Sequence, residues 1–205
     1  MQKELLEKLK EITDEERAIL SGEHHVKREL YTSGQDFTVD SKKMLKEGKL
    51  IAVRTHTRFI DFPVHRHNYI EVLYVCEGEL VNIIDGRKVV VKKGELLFLN
   101  QFTRHEIQRA GENDIAINFM ILPEFFDIAY EMAGQNNVLA DFLVHILRQD
   151  EERGEYLYFK VPEVLQIQNL LENIIYSLVT GKGENNKINQ TTMGLIFLYL
   201  LDSVQ

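Results

Sequence analysis

Residues 65–71 read His65-Arg66-His67-Asn68-Tyr69-Ile70-Glu71, and with Gly78 they give the spacing H-x-H-x3-E-x6-G. Side chains at i and i+2 point to the same face of a strand. Glu71 shares the parity of His65 and His67, so an uninterrupted strand puts all three on one side. Imidazole and carboxylate are donors that suit a borderline divalent ion. Further on, Gly94 opens a second short segment that ends at His105, a third imidazole.

The surrounding sequence is strand-rich. Leu50–Phe59 alternates and is β-branched. Tyr69–Cys76 is a short apolar run. Leu80–Ile84 and Lys88–Lys92 flank Asp85-Gly86, a hairpin signal because both central positions of a type I′ turn need φ > 0. Leu96–Leu99, Arg104–Gln108 and Ile115–Leu122 complete a series of short strands separated by turn residues. Such a series predicts a closed or sandwiched β fold.

Helical periods flank the strands on both sides. Residues 3–21 read as helix, with a capping box at Thr13-Asp14-Glu15-Glu16 where the helix breaks and restarts. Ser41 is the expected cap of a short helix through Leu45. After Pro123 the period changes. Phe125–Met132 and Val138–Leu147 read as helices, a longer one runs from Pro162 to about Thr180, and a last one from about Ile188 to Asp202. The whole is α+β: an N-terminal helical and extended arm over 1–48, a β domain over 49–122 and a helical region over 123–205. Leu195–Leu201 (LIFLYLL) is apolar nearly all round, which predicts core packing, a homodimer contact or a junction to a following domain.

The chain has 205 residues, 44% of them apolar, and a net charge of −8. That suffices for one sizeable core and excludes disorder. The acidic balance argues against direct nucleic-acid binding, which needs clustered Lys and Arg. The single cysteine, Cys76, lies in an apolar run and reads as a buried small hydrophobe. The charged N-terminus does not resemble a signal peptide, and no apolar run reaches membrane-spanning length. The expected compartment is the cytoplasm.

The H-x-H-x3-E-x6-G stretch resembles the first motif of the cupin family at every position. The second cupin motif runs G-x5-P-x-G-x2-H-x3-N. Gly94 and His105 fall at its spacing, while Asn100, Phe102 and Arg109 replace the Pro, the Gly and the final Asn. The segments RFIDFPVHRHNYIE (58–71), GELLFLNQFTRH (94–105) and IAINFMILPEFF (115–126) are similar to the N-terminal sensing domain of AraC-family transcriptional regulators. The resemblance implies a small jelly-roll β-barrel that binds a small-molecule effector, dimerises and is not an enzyme. DNA would be reached through a following pair of helix-turn-helix units, which is not found within these residues. The rival from another class is a metal-dependent cupin enzyme, a dioxygenase or an isomerase.

The resemblance makes His65, His67, Glu71 and His105 the candidate ligands of a divalent zinc, nickel, manganese or iron. The same four also read as polar pocket residues that hydrogen-bond one another, His65 with Glu71 for example. Candidate pocket walls are Tyr69, Phe98, Phe102, Arg104 and Arg109, aromatics and cations that suit a small organic anion or a sugar. His56 and His145 read as structural, and His24 and His25 as loop residues.

Overall fold

The alternating segments pair into two five-stranded sheets in the computed structural model, which describes residues 1–133, 154–182 and 185–204. The first sheet runs β1 (Thr38–Val39), β3 (Phe62–His67), β8 (His105–Ile107), β5 (Glu79–Ile84), β6 (Arg87–Lys92). The second runs β10 (Tyr156–Phe159), β7 (Leu96–Leu99), β4 (Ile70–Glu77), β9 (Ile115–Ile121), β2 (Ile51–Thr55). Among the described residues only the β1–β3 pair is parallel. The expected small barrel is thus a two-sheet jelly-roll sandwich. Its strands reach beyond 49–122 at both ends, because β1 comes from the arm and β10 from the helical region. Asp85 and Gly86 sit at φ 49° and 75°, as the hairpin between β5 and β6 requires.

The two sheets differ in what covers them. In the first, inward residues such as Leu80, Asn82 and Ile84 alternate with outward, partly solvated ones. In the second, β4 and β7 are buried on both faces. Helices cover its outer side: α1 (Lys3–Lys10), α4 (Asp127–Ala133), α5 (Leu165–Thr180) and α6 (Asn186–Val204). Strand parity therefore sorts two cores. Ile70, Val72, Tyr74, Leu96, Phe98, Ile117 and Phe119 pack toward the helices. Tyr69, Leu73, Val75, Leu97, Leu99, Ala116 and Met120 face the first sheet. Gly94 stands at φ 82°, and a Cβ there would lie 2.8 Å from Pro162, so glycine lets the β6–β7 turn touch the entry to α5.

The N-terminal helix breaks where the capping box predicts. Thr13 caps α2 (Asp14–Leu20), and Glu16 closes the box. The short α3 (Ser41–Met44) is capped by Asp40, not Ser41, because the Asp40 carboxylate accepts from the Lys42 amide. The expected helix over 138–147 and His145 lie outside the described residues. Among the described residues no helix is long and apolar enough to cross a membrane.

Candidate metal and ligand site between the sheets

His65 and His67 share the inward face of β3, and His105 pairs with His65 across the β3–β8 ladder. The strand is not uninterrupted to Glu71. The chain turns at Asn68-Tyr69 and crosses to the second sheet, so Glu71 opens β4. Glu71 nevertheless reaches the same centre from the facing sheet. Its oxygens lie 3.5 Å from His67 Nε2 and 3.6 Å from His105 Nε2. The sequence-level pairing of His65 with Glu71 is replaced by these two approaches. The three imidazoles converge with ligand nitrogens within 4.8 Å of one another.

Outer partners aim these rings. His105 Nδ1 lies 3.1 Å from Asn82 Oδ1 and His65 Nδ1 lies 2.8 Å from the Pro63 carbonyl. Both acceptors place the proton on Nδ1, which leaves each Nε2 lone pair free. His67 Nδ1, Glu71 Oε2 and His105 Nε2 are buried without a hydrogen-bond partner. A buried polar atom left unpaired costs about 1–3 kcal/mol. Nitrogen and carboxylate donors, converging, oriented and unsatisfied, fit a divalent transition ion.

The turn carrying His105 departs from the second cupin motif, and the structure shows what replaces it. The buried Asn100 carboxamide oxygen accepts from the amides of Phe102, Thr103 and Glu155 and from the Thr103 hydroxyl. One side chain thus holds the bend that Pro and Gly would otherwise shape.

Electrostatics at the site follow burial. Desolvation pushes the Glu71 carboxyl up to about 8, against the pull of a hydrogen bond from Asn118. Burial likewise pushes His65 down to about 4 and His56 down to about 3. His67 and His105 fall well below the ordinary imidazole value, first through burial and then through His65 beside them. At neutral pH the imidazoles are neutral and Glu71 keeps its proton. A bound cation reverses this for Glu71 by favouring the carboxylate.

A cavity of about 30 Å³ adjoins the centre, lined by His65, His67 and Glu71 on one side. Of the five expected pocket residues it contains Tyr69 alone. Phe98 has the other parity and packs edge-on against Phe159 and Phe197 beneath the helices. Phe102 is half-buried in the Asn100 turn, and Arg104 is exposed. Arg109 is also exposed and borders a surface cleft with His24 and Asp61. The wall is made instead by Arg54, Thr57, Tyr31 and Asn118, which the sequence reading passed over, and by His56, which it takes as structural. Asn82 and Asn118 had a legible signal, an amide at an inward strand position among apolar neighbours. Arg54, His56 and Tyr31 had none.

Residues 53–121 match the Cupin_2 family, described as Cupin domain. The chain's fold is similar to that of apo ToxT K231A from Vibrio cholerae strain SCE256, with a TM-score of 0.51 at 9% identity over 78% of this chain. It is equally similar to unsaturated fatty acid bound wild-type ToxT from the same strain, at 0.50 and 12% over 78%. In both comparisons the match spans 57% of the ToxT chain. No curated protein sequence matches this chain.

Proposed function

We propose that this chain is the ligand-sensing module of an AraC-type transcriptional regulator, which takes a small molecule between its sheets and passes the change to α5 and α6. One observation carries the reading: a single strand joins the site to the helices. On β4, Glu71 faces the imidazoles and Tyr74 faces outward, where its hydroxyl donates to Gln168 Oε1 on α5 at 2.6 Å. The Gln168 amide in turn donates to the carbonyls of Gly94 and Val161, both at 2.9 Å. A ligand that prefers one arrangement of β4 shifts the helices by its differential affinity. The sequence resemblance and the fold shared with ToxT, an AraC-family regulator, support the same reading. The fatty acid of the ToxT complex does not transfer, because the cavity of about 30 Å³ has no room for its chain. DNA is reached through a following domain, and the cytoplasm is the compartment this role requires. The test is to expose the purified protein to a small-molecule extract and analyse what it captures. A molecule released unchanged supports the sensor, and one released transformed overturns it.

The second reading, a metal-dependent cupin enzyme, is favoured by the converging imidazoles. His65, His67, His105 and Glu71 would hold the ion, which supplies Lewis acidity to a bound oxygen. For either reading, protein purified without chelator is expected to contain near-stoichiometric transition metal if the centre is a metal site. His65→Ala with His67→Ala is expected to abolish that content, because two remaining donors are too few. Metal retained by the double variant, measured by elemental analysis, places the ion elsewhere.

A homodimer through the last helices belongs to this proposal. On α6, Ile188, Leu195, Leu198 and Tyr199 are exposed, and so are Leu165 and Tyr176 on α5. Ile196, Phe197 and Leu200 are buried beneath them. Light scattering is expected to give twice the chain mass at tens of micromolar. A monomer at that concentration removes the dimer.

A further inference from the structure

The space beside the imidazoles is small and its wall is already engaged. Its volume of about 30 Å³ is the share of one water molecule. The donors of the wall serve a residue of the arm: Tyr31 Oη, Thr57 Oγ1 and Arg54 Nη2 all donate to the buried Glu15 Oε2. The unpartnered atoms lie at the centre and at its border. Glu71 Oε2, His105 Nε2 and His67 Nδ1 are buried without a hydrogen bond. So are His56 Nε2 and Asn118 Oδ1, on residues that line the cavity. The imidazoles stand on β3 and β8 of the first sheet, and Glu71 stands on β4 of the second. Glu71 approaches His67 at 3.5 Å and His105 at 3.6 Å, too far for good hydrogen bonds. The ion-free sheets are therefore not tied to each other at this point.

We infer that the effector of this module is a divalent transition ion itself, and that its binding by His65, His67, His105 and Glu71 is felt along β4 at α5. The inference rests on the sensing reading and names what is sensed. Three imidazoles and a carboxylate suit an ion of the zinc or nickel class. The ion joins β4 to β3 and β8 by a link that the ion-free protein lacks. That link is the differential interaction a shift between two states requires. The room beside it, bordered by His56 and Asn118, takes one water on the ion's remaining position and no organic substrate. Three residues beyond Glu71, the Tyr74 hydroxyl donates to Gln168 Oε1 on α5. Gln168 Nε2 holds the carbonyls of Gly94 and Val161 at the entry to that helix. A restraint placed on β4 thus reaches α5 through one hydroxyl.

The experiment is amide hydrogen exchange on the full chain, stripped with EDTA and then titrated with Zn²⁺, Ni²⁺ or Mg²⁺. Zinc and nickel are expected to bind stoichiometrically, and magnesium, which prefers oxygen donors, not to bind. Saturating zinc is expected to slow exchange in α5 at least about tenfold more than in the β5–β6 hairpin, which carries neither a ligand nor a relay residue. Tyr74→Phe removes the relay hydroxyl and none of the four donors. It is expected to keep zinc affinity within about threefold and to lose the extra slowing in α5. Gln168→Glu, which keeps the acceptor for Tyr74 and drops the amide donor, is expected to do the same. Absence of zinc and nickel binding overturns the inference. Zinc that slows both segments equally also overturns it, because that is general stabilisation by a bound ligand. Extra slowing that survives in both variants refutes the path. Should neither variant fold, the comparison of α5 with the hairpin in the unaltered chain still decides. An organic molecule captured by zinc-free protein and released unchanged keeps the sensing reading and removes the ion as its effector. A captured molecule released transformed removes the sensing reading and this inference with it.

Discussion

Replacing Arg58 by alanine is expected to destabilise the protein by about 3–5 kcal/mol, the cost of stranding one member of a buried ion pair. Arg58 and Glu16 are each 1% exposed. The guanidinium donates Nε to Glu16 Oε1 at 2.7 Å and Nη2 to Glu16 Oε2 at 3.0 Å. It also donates to the carbonyls of Glu112 and Lys10, and the Arg58 amide donates to Glu16 Oε1. Glu16 meanwhile accepts from the Thr13 amide at the start of α2. One contact thus fastens the N-terminal helices to the loop that leads into β3 and the imidazoles. Removing Arg58 leaves a buried carboxylate and several carbonyls unpaired. Glu16→Gln keeps the shape and is expected to cost less. Urea unfolding checks both. A loss below about 1 kcal/mol for Arg58→Ala, the scale of an exposed pair, would show that the arm is not held this way.

Acid is expected to unfold the metal-free protein well above the usual carboxylate range. Burial lowers four imidazoles, His56, His65, His67 and His105. Below about pH 6.5 the unfolded chain binds protons at these four that the folded chain refuses, so stability falls as pH falls. Glu71 acts in the opposite sense. With its carboxyl raised to about 8, the folded state holds one more proton than the unfolded state between about pH 4.5 and 8, so stability falls as pH rises there. Four groups against one leave a net of three protons between about pH 4.5 and 6.5, or up to about 4 kcal/mol per pH unit. Relaxation and water entry reduce that figure. Glu16 adds to the loss at lower pH. Burial raises its carboxyl, the hydrogen bonds from Arg58 and Thr13 outweigh that, and the stability it contributes is lost as pH falls through the lowered value. Maximum stability is therefore expected near pH 7, where the protons on the four unfolded imidazoles fall to about the one held by Glu71. Urea midpoints that stay level from pH 7 to 5 would contradict the neutral, buried imidazoles.

The sequence by itself determined a closed or sandwiched β fold through short-range rules, and its resemblance to the cupin motifs supplied the jelly roll and the position of the converging centre. Short apolar or alternating runs between turn residues located β4, β5, β6, β7 and β9 to within a residue or two, Asp85-Gly86 fixed a hairpin, and Thr13 with Glu16 fixed a helix start. Spacing and the resemblance to the two cupin motifs brought out His65, His67, Glu71 and His105. They did not show how these residues meet, because parity along one strand cannot reveal that the chain leaves β3 at Asn68 and enters the opposite sheet at Ile70.

Only the tertiary structure decided the cavity wall. Phe98 is indistinguishable from Leu97 and Leu99 by composition, yet the two-sided burial of β7 sends it to the helices and them to the interior. Arg54 and His56 look like residues of an ordinary half-solvated strand. They line the cavity because β2 lies at the edge of the second sheet, where its end folds in against β3 and the aromatic residues of the arm. Asn100 replaces a motif proline, and its four accepted hydrogen bonds need Glu155, far along the chain, to be brought alongside. Local pattern reports which face of an element is buried. What that face meets depends on contacts between distant segments, and those are settled only when the sheets and helices pack.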